Sequence, residues 1–412
     1  MPINLLGKTL LLGLMSFVVL GTVNAAQYNA VVSTTPQGDE FSSINAALKS
    51  APMDDTPFII FLKNGVYTER LEVTRSHVTL KGENRDGTVI GANTAAGMLK
   101  SAPMDDTPFI IFLKNGVYTE RLEVTRSHVT LKGENRDGTV IGANTAAGML
   151  NPQGEKWGTS GSSTVLVNAP NFTAENLTIR NDFDFPANKK KADTDPTKLK
   201  DTQAVALLLA ENSDKARFKA VKLEGYQDTL YSKTGSRSYF TDCEISGHVD
   251  FIFGSGITVF DNCTIVARDR SDIEPPYGYI SAPSTLTTSP YGLIFINSRL
   301  TKEPGVPANS FALGRPWHPT TTFADGRYAD PAAIGQAVFI NTTMDDHIYG
   351  WDKMSGKDKQ GEKIWFYPQD SRFFEANSQG PGAAINEGRR QLSAEQLKAF
   401  TLPMIFPDWA VH

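Results

Sequence analysis

Two aspartates, Asp228 and Asp250, each stand ten residues after a phenylalanine, Phe218 and Phe240, that opens the same short pattern: a phenylalanine followed five positions later by a branched or long apolar residue. If these patterns fill equivalent places in successive turns of a repeating structure, the two carboxylates are neighbours. One strand spacing, about 4.8 Å, would then separate their backbones. Two carboxylates that close cannot both ionise cheaply, so one keeps its proton while the other stays charged. The pair offers an acid beside a potential nucleophile.

Amides stand close by in sequence. Gln203 precedes Gln227 by 24 residues, which places it one turn before Gln227 and the acidic pair. An amide NH₂ donates without carrying charge and suits a developing oxyanion. The same spacing also fits a ladder of amides that bond to one another along a stack. Downstream, Leu313-Gly314-Arg315-Pro316-Trp317 sets a permanent cation beside a large aromatic. Arg315 could pair with one aspartate and hold it ionised, and Trp317 offers a flat face on which a sugar ring can rest; a surface arginine and an edge aromatic would read the same.

The elements that must position these groups follow from the recurrence. The pattern repeats at Phe172/Leu177, Phe218/Leu223, Phe240/Ile245, Phe260/Ile265, Phe295/Leu300 and Phe339/Met344. Its closest spacings match one coil of a stacked parallel solenoid. Strand formers and turn residues dominate, so an all-β chain is expected, with little helix. The formal net charge of −5 is spread along the chain, and neither a nucleic-acid stripe nor a polybasic membrane patch is present. Residues Met1 to about Ala25 read as an export signal, with Lys8, an apolar run from Leu10 to Leu20 and a small-residue cleavage site at Val23-Asn24-Ala25. The expected mature chain, 26–412, is a single periplasmic or secreted domain. The two cysteines, Cys243 and Cys263, each follow their register phenylalanine by three residues, so they stack as either a disulfide or a pair of buried thiols.

Residues Leu48–Leu99 recur without a change at Leu99–Leu150, a period of 51. Structural repeats drift until only core positions match, so this identity points to a recent tandem duplication or to an assembly error, rather than to the solenoid's own periodicity. Inside one copy, Phe58–Leu62, Leu71–Thr74 and His77–Leu80 read as strands. A helix over Phe41–Leu48 would plug the start of the stack, and Ser393-Ala394-Glu395-Gln396 reads as a capping box that opens a short helix near its end. The Lys- and Asp-rich stretch Ala187–Asp201 reads as a solvated loop.

Five signatures in order, Gly-Val-Tyr-Thr-Glu (in both copies), Gln203–Leu207, Gln227–Leu230, Asp250–Gly254 and Leu313–Trp317, make the chain from about Tyr28 onward resemble the bacterial pectin methylesterases. That resemblance implies a right-handed parallel β-helix with short capping helices, acting on methylated homogalacturonan. It also implies Asp250 as nucleophile, Asp228 as general acid and then base, Gln203 and Gln227 as oxyanion donors, and Arg315 as the partner of Asp250. Trp317, Thr159, Tyr231, Phe253 and Met354 would line the sugar cleft, and Cys243 and Cys263 would form a bridge. The family needs no metal or cofactor. A capped solenoid has no need to pair, so a monomer is expected, with no nucleic-acid or membrane partner.

Other machinery is missing from the sequence. There is no Gly-x-Ser-x-Gly elbow or His-Glu-x-x-His motif, and none of the 6 histidines has metal-ligand spacing. His248 and His318 flank the proposed site, either as edge residues or as bystanders. Two rival readings keep the fold: a β-helix pectate lyase or polygalacturonase, and a non-catalytic solenoid that only binds polysaccharide.

Overall fold

The computed structural model describes residues 28–67, 69, 71, 73–84, 87–90, 95–100, 106–270 and 276–411. The expected export signal lies outside the described residues. Residues expected to form one domain group into two compact units, Met1–Asn93 and Thr94–His412.

The first unit holds the N-terminal strand and the first copy of the repeat as far as Asn93. Ala30–Val32 pairs in parallel with Phe58–Leu62, which pairs with Val78–Gly82. Its helix spans Ile44–Ser50, a little later than the spacing suggested. Ser43 sets that start by accepting from the Ala46 amide, and the Glu69 carboxylate takes the Ile44 and Asn45 amides at 2.6 and 2.9 Å. Three orphan donors of the first turn are thus satisfied. Val32, Ile44, Ala47 and Ile60 are fully buried as this unit's own core.

The second unit is a right-handed parallel β-helix of three faces, with nine, eight and eight strands among the described residues. Between neighbouring rungs the pairing is parallel and in register, as in Phe218↔Phe240↔Phe260↔Phe295↔Phe339. Those five rings are fully buried. They stack with centroids 4.2, 5.1, 4.6 and 4.3 Å apart. Leu223, Ile245, Ile265, Leu300 and Met344 form the matching column on the next face.

Phe172/Leu177 corrects the expected register. Phe218 stands opposite Ala174 and Leu223 opposite Ile179, so the first coil is displaced by two residues. Because strand side chains alternate with period two, Phe172 still points inward, and its ring meets Phe218 tilted at 5.7 Å.

At one corner Asp242, Asn262, Asn297, Asn341 and Asn377 all hold left-handed backbone, with φ between 51° and 56°. Asn and Asp visit that region more readily than other side chains, which explains their recurrence there. Asn341 donates its amide to Asn297, and Asn377 to Asn341, each at 3.2 Å. An amide ladder therefore exists, at this corner.

Two further expectations are corrected. Cys243 and Cys263 are buried free thiols, not a bridge. Each sulfur instead lies within hydrogen-bond reach of backbone carbonyls, Cys243 of Thr241 at 3.2 Å and Cys263 of Asp261 at 3.4 Å. The segment read as a loop opens with a helix, Phe185–Lys190, capped by Asp184. Asn188 is buried there and clamps the return of the chain through both the amide and the carbonyl of Leu199.

The capping box at Ser393 is formed as expected. The chain beyond it lies along the nine-stranded face, where Phe406, Trp409 and Val411 pack with Tyr239, Val259 and Ile294. No helix among the described residues is long and apolar enough to cross a membrane.

Candidate active site

The aspartates occupy one corner of the β-helix in successive coils. Asp228 lies between strands Lys222–Glu224 and Leu230–Ser232, and Asp250 between Glu244–Gly247 and Ile252–Gly254. The bridge Gln227↔Val249 and the pair Leu230↔Ile252 put the carboxylates one rung apart. Both have left-handed backbone, φ 66° and 49°. Three residues before each stands a glycine at a point of close approach. An added Cβ would meet the Thr229 hydroxyl at 2.6 Å from Gly225, and the Phe251 Cβ at 2.3 Å from Gly247. Glycine lets the turn fold back tightly enough to present the acid.

Arg315 arrives from the end of strand Phe311–Gly314, two rungs beyond Asp250. Its Nε donates to Asp250 Oδ1 at 2.8 Å and its Nη2 to Oδ2 at 2.6 Å. The guanidinium rests on the Tyr279 ring, 3.8 Å from the centroid. A cation over an aromatic face and a two-point carboxylate clamp fix its position from both sides. Asp228 has no such partner. Burial, then the neighbouring charge of Asp250, pushes its carboxyl well above the ordinary range, and Arg315 offsets this only in part. Burial and its neighbour's charge thus favour the neutral form of Asp228, while Asp250 is the member that holds the cation.

A cleft of about 600 Å³ opens over them. Gln203, Gln227, Asp228, Asp250 and Arg315 line it together with Trp317, Thr159, Tyr231, Phe253 and Met354. All ten site residues expected from the sequence, the two cysteines aside, thus face one space. Tyr231 and Phe253 stack at 4.2 Å, and Trp317 stands edge-on to both at 6.1 and 5.5 Å. This aromatic wall is apolar, and burial pushes the Tyr231 hydroxyl up to about 12.

Sequence reasoning missed Trp157, which lines the cleft with Gly158 and Ser160. It is carried on Arg121, whose guanidinium lies 4.1 Å over the indole. A tryptophan just past the repeat was the available signal. Tyr279 was missed because nothing local marks a ring that lies beneath an arginine 36 residues away. The flanking histidines do not line the cleft: His248 is fully buried against Phe185, and His318 stacks on Phe366. Among the described residues no group of His, Cys, Asp or Glu could hold a metal ion.

The second copy of the repeat underpins this cleft. Its final residues, Thr145–Leu150, leave the strand without forming a helix, and the Ala147 amide donates to the Gln203 carbonyl at 2.8 Å. Of their identical counterparts in the first copy, Ala95–Leu99 lie in the helix Ala95–Lys100, where the Ala95 and Ala96 amides are capped by Glu120.

The second unit thus joins a parallel β-helix to a carboxylate pair, an arginine clamp and an aromatic-walled cleft, the parts of nucleophilic and acid–base catalysis. The pectinesterase family profile matches residues 29–102 and 93–391. Pectinesterase A of Dickeya chrysanthemi is 59% identical over 319 residues, 77% of this chain and 87% of the relative. Among solved structures, a pectin methylesterase from Yersinia enterocolitica is 96% identical, with a TM-score of 0.77, over 77% of this chain and 99% of its own. One from Erwinia chrysanthemi is 50% identical over 93% of this chain and 98% of its own, with a TM-score of 0.71. The chain belongs to the pectinesterase family and is a carboxylic ester hydrolase.

Proposed function

We propose that this protein hydrolyses methyl esters of galacturonate units in pectin through an aspartyl acyl-enzyme, releasing methanol and leaving the polymer intact. The observation that carries this reading is an Arg315-clamped Asp250 with Asp228 one rung away, buried and without a cation of its own, its carboxyl pushed well above the ordinary range by burial and by the charge of Asp250. Asp250 attacks the ester carbonyl and the NH₂ groups of Gln203 and Gln227 receive the oxyanion. As the tetrahedral intermediate collapses, the bond to the methoxy oxygen breaks and Asp228 gives that oxygen its proton. Asp228, now charged, takes a proton from water, and the hydroxide formed attacks the acyl carbonyl. Collapse of the second intermediate frees the Asp250 carboxylate and a galacturonic acid carboxyl, which gives its proton to solvent. A carboxylate is a weak nucleophile toward an ester, so positioning and oxyanion donors supply most of the barrier reduction.

The aromatic wall of Tyr231, Phe253 and Trp317, with Thr159 and Met354, suits sugar faces and ester methyls. A related pectin methylesterase, 50% identical, is known in complex with a hexasaccharide, which supports an extended oligosaccharide in the cleft. We further propose a secreted monomer whose second copy of the repeat serves the catalytic stack.

The test is a pH-stat assay on highly methylated pectin. Acid and methanol should appear together, with no loss of polymer length and no effect of a chelator. Polymer shortening would favour glycosidic hydrolysis or elimination, and binding without acidification would favour a non-catalytic solenoid.

A further inference from the structure

Thr202 is not among the residues lining the cleft. It lines the hollow next to it, with Phe185, Asn188 and Leu199. From there its hydroxyl donates to Gln227 Oε1 at 2.8 Å. The Gln227 carbonyl oxygen is thereby engaged from behind, and its NH₂, which has no hydrogen-bond partner among the described residues, is left for the cleft that Gln227 lines. Gln203 has no such hold: its Oε1 is buried without a partner among the described residues.

We infer that Thr202 is a positioning residue that holds the Gln227 amide rigid with its NH₂ toward the cleft. The inference rests on Gln227 acting as an oxyanion donor. A primary amide turned by half a circle would present its oxygen to the cleft, toward Asp228, Asp250 and the forming oxyanion. That orientation replaces a stabilising dipole with a repulsive one. A threonine hydroxyl can serve either face of an amide, so the charges in the cleft choose the orientation and Thr202 makes it rigid. A donor already aimed costs no reorganisation when the intermediate forms. The effect belongs in kcat and not in KM, because the NH₂ meets full charge only in the transition state.

The experiment is a double-mutant cycle on pectin in the pH-stat, with melting temperatures for every variant. Thr202→Val should lower kcat about 10-fold, the worth of one hydrogen bond, with KM within about twofold. Thr202→Ser keeps the hydroxyl and should retain kcat near the wild-type value. In a Gln227→Leu background, Thr202→Val should have no further effect. Thr202→Ala serves the same comparison if the valine is not accommodated. A Thr202→Val enzyme with unchanged kcat, while Gln227→Leu is impaired, overturns the positioning role and leaves the oxyanion reading intact. An equal loss in both backgrounds also overturns it, since Thr202 would then act through another group. If Gln227→Leu itself leaves kcat unchanged, the oxyanion reading of Gln227 fails and the inference fails with it.

Discussion

Arg315 reaches back across two rungs to hold both oxygens of Asp250, at 2.8 and 2.6 Å, while the ring of Tyr279 supports its guanidinium from below. A lysine can supply the charge there but not the fork. Arg315→Lys should therefore lower kcat roughly 10- to 100-fold, the worth of a lost charge-assisted hydrogen bond. Asp250→Asn removes the nucleophile and should cost at least about 10⁴-fold. Initial rates in the pH-stat separate the two, and equal losses would deny Arg315 its separate role.

The raised carboxyl of Asp228 carries a cost to the fold. Its folded carboxyl titrates well above the ordinary value of 3.8. Between 3.8 and that raised value the folded state binds more protons than the unfolded one, so stability falls as pH rises through the window. Asp228→Asn is neutral throughout and should melt above wild type at pH 7, yet be nearly inactive. The gain should vanish below the unfolded carboxyl's titration, and a gain that is independent of pH would contradict the assignment.

His347 is fully buried, and neither ring nitrogen has a hydrogen-bond partner among the described residues. Burial lowers its titration from 6.5 to about 4. Here the unfolded state binds more protons, so this contribution to stability is complete above about 6.5 and is lost as pH falls toward 4. His248, fully buried and shifted the same way, adds to the decline. His347→Leu should flatten the melting-temperature profile over that window, whereas an unchanged slope would place the acid sensitivity elsewhere.

The C-terminal segment is fastened across several coils. Arg237 bridges Asp214 and Asp408, Lys215 pairs with Asp408 at 3.1 Å, and Arg217 lies over Trp409. The exposed ion pairs are screened, so the buried indole carries most of the hold. Trp409→Ala should cost about 3–5 kcal/mol in urea unfolding while leaving KM unchanged at permissive temperature. A loss below about 1 kcal/mol would mean that the segment is not part of the cooperative fold.

Removing 51 residues, 48–98, leaves a 361-residue chain that is the same whichever copy is deleted. It joins the N-terminal strand and helix directly to the copy whose end supports Gln203 and whose Arg121 carries Trp157. This shorter chain should fold and keep kcat within about twofold of the full one, measured on the same pectin. Severe loss of activity would show that the first copy contributes to catalysis.

Much of the β-helix was legible because stacking imposes equivalence. Phenylalanines at the same place in each coil must meet, and with them Asp228 and Asp250. Phe172 shows the limit: a two-residue shift preserves the inward direction, so alternation alone cannot detect it. The thiol pair shows another, since the spacing of Cys243 and Cys263 fits a bridge and two free sulfurs alike. Trp157, Tyr279 and Thr202 act across long sequence separations with no periodic mark, and only packing could reveal them.

Composition and period by themselves determined the all-β solenoid, the carboxylate pair and its amide neighbours, because a parallel stack turns sequence spacing into proximity. Tertiary structure alone decided which acid is clamped, which amide is oriented and what one repeated segment becomes. Ala95–Leu99 and Ala146–Leu150 are identical in sequence, yet one lies in a helix capped by Glu120 and the other in an irregular turn bonded to Gln203. Five residues carry too little intrinsic preference to choose between helix and turn, so the partners waiting for their backbone amides make the choice.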